Sequence, residues 1–310
     1  MARRVEDFGL PRTAMLLVGL ALVLSATAVR GQTPRGEEGG QLARRGLLDW
    51  LTADELEQGR PDADEPAASW PNAQDPGPDL ANFPNAAFTI PKGAFHFELA
   101  PFSLYGPDID SPNTYNTQFL LRYGLTDRVE FRLFGNGYES VYHGSPRKPS
   151  MSGLSPLTFD FKMNFWNQPD DVLWLPSVGL EAYVQTEFAS PGFREGTQPG
   201  LSLLLDHALP YGFQFEWNVG VNSTLAATDS DGVEWNMQWA FQRRFFEKLD
   251  IFTHGFINSS TLPREGDGVV VGGGAVYLFS KRLTLFGSYN AGLTPEAPTT
   301  FAQLGLALAF

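Results

Sequence analysis

Glu130 and Arg132, and further on Asp160 and Lys162, stand two apart, with Phe131 or Phe161 between them and apolar residues on either side. A spacing of two places both members of a pair on one face of a β-strand, opposite the apolar residues. The arrangement recurs along the chain at even spacings: His96 and Glu98; Gln118 and Arg122; Glu181 and Gln185; Gln214, Glu216 and Asn218; Glu234 and Gln238. Such rows of carboxylates, cations and amides have two uses. As a set they read as the wall of a polar passage whose charges select what moves along it. Singly, each reads as a structural ion pair or hydrogen bond filling a narrow interior.

Catalytic readings find less support. There is no cysteine, hence no disulfide framework, thiolate metal site or cysteine nucleophile. His96, His143, His207 and His254 are scattered, and Gly-x-Ser-x-Gly, a P-loop and His-Glu-x-x-His are all absent. A lipid-acting hydrolase stays as an alternative, because its discriminator is spatial: a serine with a histidine in hydrogen-bond reach. Asp229-Ser-Asp231 and Glu265-Gly-Asp267 lack the ligand spacing of a calcium loop and read as solvated turns. No metal and no cofactor is expected. The net charge of −13 argues against nucleic acid as a partner, since phosphate binding wants a basic stripe.

The elements that carry these rows are short alternating strands, from Gly93 to the end of the chain. Phe213, Phe215, Trp217, Val219 and Val221 alternate with polar residues, as do Val233, Trp235, Met237, Trp239 and Phe241. Gly272, Gly273 and Gly274 erase the pattern in a strand near 269–279. Counting every such run predicts twelve strands. The connections after even strands are short: 125–127, 167–171, 210–212, 246–248 and 280–282. Those after odd strands are longer and polar: 103–113, 139–153, 188–197, 224–232, 260–266 and 293–299. Short–long alternation with an even strand count marks a membrane barrel with both termini on one side, and strands of roughly ten residues match a tilted crossing. A soluble sandwich has no reason to alternate its loops this way.

Aromatics make up 13% of the residues while mean hydropathy is −0.18, as expected where lipid-facing and lumen-facing residues cancel. Trp217, Trp235 and Trp239 fall on the lipid face, and Trp166 and Tyr211 beside short turns, which an interfacial girdle explains. Inward aromatic candidates are Phe134, Tyr183 and Phe286. Leu304, Leu306, Leu308 and Phe310 share one face of the last strand, and ending on an aromatic looks like the assembly signal of outer-membrane barrels. That strand is expected to close the barrel onto Phe95, Phe97 and Leu99.

Ahead of the barrel, Arg3, Arg4 and Arg12 precede an apolar run from Ala14 to Val29 and an A-x-A-like site, which reads as a secretory signal peptide over 1–31, cleaved between Ala28 and Gln32. Met15 is an alternative start. Residues 32–92 are acidic and rich in Pro and Gly and read as a disordered periplasmic arm, with one short helix over 42–58 as a plug or tether. The barrel is expected over 93–310.

The segment Leu120–Leu133, Leu-Leu-Arg-Tyr-Gly-Leu-Thr-Asp-Arg-Val-Glu-Phe-Arg-Leu, resembles a recurrent hairpin of the outer-membrane barrels grouped under the MetA-pathway of phenol degradation. Asn82-Phe-Pro-Asn85 and Ile90-Pro-Lys-Gly93 resemble that family's lead-in to its first strand, and the likeness covers about residues 79 to 310. It implies uptake of small, often aromatic or otherwise hydrophobic compounds and carries over no catalytic motif. The expectation is therefore a twelve-stranded all-β antiparallel barrel in an outer membrane, with both barrel termini periplasmic, passing a small solute through a polar lumen. Lipids, the barrel assembly machinery and that solute are the expected partners. A closed structural or adhesive barrel is the remaining alternative.

Overall fold

The computed structural model describes residues 71–106, 113–142, 149–169, 172–225, 231–260 and 267–310. The signal peptide, the helix over 42–58, His143, Asp229 and Glu265 lie outside them. Fourteen β segments follow one another: β1 (Phe95–Tyr105), β2 (Asn113–Thr126), β3 (Val129–Gly135), β4 (Tyr138–Tyr142), β5 (Met151–Leu154), β6 (Leu157–Trp166) and β7 (Ser177–Gln185). The second half holds β8 (Gln198–Ala208), β9 (Phe213–Leu225), β10 (Asp231–Phe245), β11 (Leu249–Ser260), β12 (Gly268–Leu278), β13 (Leu283–Gly292) and β14 (Thr300–Ala309). Neighbours pair antiparallel, and β1 pairs with both β2 and β14, so the sheet closes on itself.

Fourteen segments make twelve barrel strands. β3 pairs with β2 and β6, while β4 takes over beside the first residues of β2, at Asn113–Asn116. β4 therefore continues β3 beyond a break at Asn136-Gly137, and β5 leads into β6 across Ser155-Pro156, where proline lacks the ladder donor. The loop expected over 139–153 is corrected accordingly: its flanks extend the hairpin. The connection expected over 167–171 is also longer, running from Asn167 to Pro176. Gln168 pins it to the next hairpin, accepting the Ala208 N–H at 2.6 Å and donating to the Ala208 carbonyl at 3.2 Å.

The faces follow the alternation. Trp235 and Leu304, both 56% exposed, lie on the outer wall, whereas Glu98, Arg122, Glu130 and Lys162 are fully buried inside. Apolar out and charged in is the reverse of a soluble protein and the pattern of a membrane barrel. Closure runs as expected: Phe97 pairs with Leu308 and Leu99 with Leu306. Phe310 donates its N–H to the Phe95 carbonyl at 2.9 Å, with the two rings 5.7 Å apart. Both barrel ends thus meet on the rim of short turns. In the glycine-blurred strand β12, Gly272 and Gly274 face inward; a Cβ there would lie 2.0 Å from Asn290 Oδ1 and 2.5 Å from the Phe252 ring.

The arm reading fails over residues 71–92. This segment starts at the short-turn rim, where Ala73 donates to the Lys281 carbonyl at 2.6 Å, and it returns there, where Lys92 N–H meets Asp127 Oδ1 at 3.1 Å. Between these points it lies in the lumen, with Ala73, Ala87 and Ile90 fully buried. The expectation of disorder rested on too little apolar surface. What holds the segment instead is its backbone, satisfied by polar lumen side chains. Small residues let it fit. One apolar patch helps: Leu80 and Ala81 pack with Ala100, Phe252, Val276, Leu278 and Phe286.

Candidate functional site

Asp79, at the buried turn of the inserted segment, is the hub of the lumen. Its carboxylate takes Lys162 Nζ at 2.6 Å and lies 3.5 Å from Arg122 and 3.6 Å from Arg132. Burial alone would raise this carboxyl, yet the charges of Arg122, Lys162 and Arg132 hold it well below the usual carboxylate range, so it is an anion. Glu98 accepts the backbone N–H groups of Asp79 and Leu80 at 3.1 and 2.7 Å. Arg122 bridges Glu130 at 2.6 Å, Glu98 at 3.2 Å and the Gly77 carbonyl at 3.1 Å. Arg132 pairs with Glu181 and lies 3.3 Å from Asp160.

Further along the segment the lumen grips main chain again. His254 Nδ1 accepts the Phe83 N–H at 3.1 Å, which leaves the proton on Nε2, facing Asn290 Oδ1. Asp206 accepts from Ala87 at 2.7 Å and Glu130 from Ile90 at 2.8 Å. Lys162 and Asn164 donate to the carbonyls of Ala86 and Ala87, both at 3.1 Å. Side chains join in where Asn82 reaches Glu216 at 3.1 Å and Asn85 reaches Glu181 at 2.9 Å. Those made by Lys162, Glu130 and Glu181 are charge-assisted, a kind about twice as strong as neutral bonds. The segment is a plug.

Above the plug, toward the long loops, lies a cavity of about 490 Å³. Its floor is Asp79, Asn82, Phe83, Asn85, Arg132, Asp160 and Glu181; its wall carries Gln118, Gln185, Gln198, Asn222, Asn236, Gln238 and Asn258, with Tyr105, Phe134, Tyr183, Phe256 and Phe301.

The residues picked from the sequence therefore divide. Glu98, Arg122, Glu130, Lys162 and Glu216 bind the plug, and the buried His96 lies beside Glu98, 3.8 Å away. Arg132, Asp160 and Glu181 hold the floor, while Gln118, Gln185 and Gln238 stand on the wall. Asn218 is buried, and Glu234 is half-buried toward the long loops. Gln214 joins neither group: it is exposed on the short-turn rim, accepting from Gln242 at 2.9 Å. Of the two uses the rows could have, passage wall and structural ion pairs, the buried charges of Glu98, Arg122, Glu130 and Lys162 serve as partners of the plug. Sequence reasoning passed over Asp79, Asp206 and the anchoring role of His254. A signal existed, since Asn82-Phe-Pro-Asn85 and Ile90-Pro-Lys-Gly93 are parts of the plug.

The sequence profile of the family described as "Putative MetA-pathway of phenol degradation" matches residues 79–310, from the hub aspartate to the last strand. This chain belongs to that family. The matched stretch takes in residues 79–92 of the plug together with the barrel. No curated protein matches the chain. Among solved structures, an outer-membrane channel from Pseudomonas putida F1 superposes with a TM-score of 0.54 at 13% identity, over 73% of this chain and 99% of that one. The NanC porin gives 0.49 at 8% identity, over 69% and 98%, and the KdgM porin 0.48 at 6%, over 70% and 99%. The first of these shares the fold, a closed antiparallel β-barrel.

Proposed function

We propose that this family member is an outer-membrane channel through which a small solute passes passively, with both barrel ends on the periplasmic side. The observation that carries it is a closed barrel with an apolar exterior and a polar lumen that keeps a cavity of about 490 Å³ above its plug. A barrel with a structural or adhesive role alone has no need to keep that space. The plug narrows the short-turn end, so passage goes past it or waits on its displacement. The family description supports a link to aromatic compounds. Reconstitution into planar bilayers and liposomes tests the reading: discrete conductance steps and solute-driven swelling are expected, and a protein that gives neither is not a channel.

A further inference from the structure

The outer wall carries one charge that its alternation does not explain. In the strand halves beside the short turns, Arg243 is the only Asp, Glu, Lys or Arg at an outward position among the described residues. It alternates with Phe241 and Phe245 on β10 and faces Phe213 of β9 and Ile251 of β11. Its guanidinium lies 4.9 Å from the centre of the Phe213 ring and 5.1 Å from that of Phe245, and Phe213 stacks on Phe241 at 4.9 Å. No carboxylate among the described residues pairs with it: Asp250, next to the facing Ile251, is taken by Arg244 at 2.8 and 2.9 Å. The turns on either side add two bare rings. Tyr211 and Phe246 are 85% and 90% exposed, and both sit at positive φ, 64° and 52°, a conformation uncommon for bulky residues.

An interfacial girdle accounts for the rings but not for an unpaired arginine among them. Near the interface a lipid-facing cation costs little, and there it meets lipid headgroups. Aromatic rings take the face of a guanidinium and accept none of its in-plane N–H groups, which are left for an oxyanion. Phosphate matches them in charge and in bidentate geometry. A headgroup with its own ammonium already offers its phosphate a cation, whereas a glycerol headgroup does not. Exposed Lys248 in the next turn adds a second positive charge, set against Glu247. With the barrel ends on the periplasmic side, the placement on which this inference rests, the rim meets the phospholipid leaflet. We propose that Arg243, seated among Phe213, Phe241 and Phe245, is a headgroup site for an anionic glycerophospholipid whose acyl chains lie along the outer wall of β9–β11.

The test offers the purified, delipidated full-length chain equal amounts of phosphatidylglycerol and phosphatidylethanolamine with the same acyl chains, and native mass spectrometry reads the lipid retained. Phosphatidylglycerol should be retained about fivefold more, the factor roughly expected for one basic residue at an anionic lipid surface. Arg243→Gln should abolish this preference. Arg128→Gln, which removes an exposed arginine from another turn of the same rim, should keep it. Should Arg243→Gln fail to insert, Phe213→Leu combined with Phe245→Leu leaves the charge, removes both rings and should at least about halve the preference. Equal retention of the two lipids, a preference that survives Arg243→Gln or the double variant, or one that Arg128→Gln also abolishes overturns the proposal. Conductance is read on the same preparations: conductance without the preference overturns this site alone, and the preference without conductance overturns the channel alone.

Discussion

Asp79 sits where three cations converge, and the barrel wall supplies all three: Arg122, Arg132 and Lys162. Replacing it with asparagine keeps the shape and removes the charge. Hydrogen bonds to charged groups are worth about 1.5–3 kcal/mol, so the undocked fraction of the plug should rise by roughly tenfold to a hundredfold. The barrel ladder does not depend on Asp79, so the loss should fall on the plug. For Asp79→Asn we expect larger or more frequent conductance steps and faster proteolysis of residues 71–92, with unchanged heat-modifiable migration. An unchanged trace and protection pattern would show that the ion pairs do not hold the plug.

Two elements carry predictions of their own. Gly124 of β2 lies where the chain leaves the plug: Gly93 N–H reaches its carbonyl at 2.8 Å, and a Cβ on it would lie 1.9 Å from the Pro91 carbonyl oxygen. Gly124→Ala must push Ile90–Gly93 away. Amide hydrogen exchange in the plug should speed up while exchange in β2 and β3 stays slow; slow exchange throughout would mean that the crossing has slack. Phe310, directly after β14, extends the pairing with β1 that closes the barrel. Removing Phe310 deletes its hydrogen bonds with Phe95 and the ring contact, at the seam that every other strand depends on. Loss of the membrane-inserted, heat-modifiable form is expected on truncation, and normal insertion would rule out the assembly role.

For the whole molecule, inside and outside obey opposite rules, and single arginines should report them. Met237 is on the outer wall near the middle of β10, whereas Gln238, its neighbour, faces the cavity. Met237→Arg puts a charge into hydrocarbon at a cost of about 2–4 kcal/mol near the midplane, so urea midpoints in vesicles should fall. Gln238→Arg should leave stability nearly unchanged and move the reversal potential toward anions. If both variants lose equal stability, the assignment of faces in this strand is wrong.

Alternation in the sequence was enough to read the barrel, the strand count, the inward rows and the closure of Phe310 onto Phe95, because β-structure has a period of two and a membrane punishes any charge on the wrong face. The loop at 139–153 was misread because β4 and β5 are too short to show a period. The plug was missed for a deeper reason. Residues 71–92 look unable to fold by composition; their order comes from Glu98 of the adjoining strand and from Arg122, Glu130, Lys162, Asp206 and His254, which lie farther along the chain and converge only when the barrel closes. Which inward residues hold a plug and which line a cavity is therefore decided by tertiary structure alone, since a strand pattern tells which face a side chain is on but not what lies across the lumen from it.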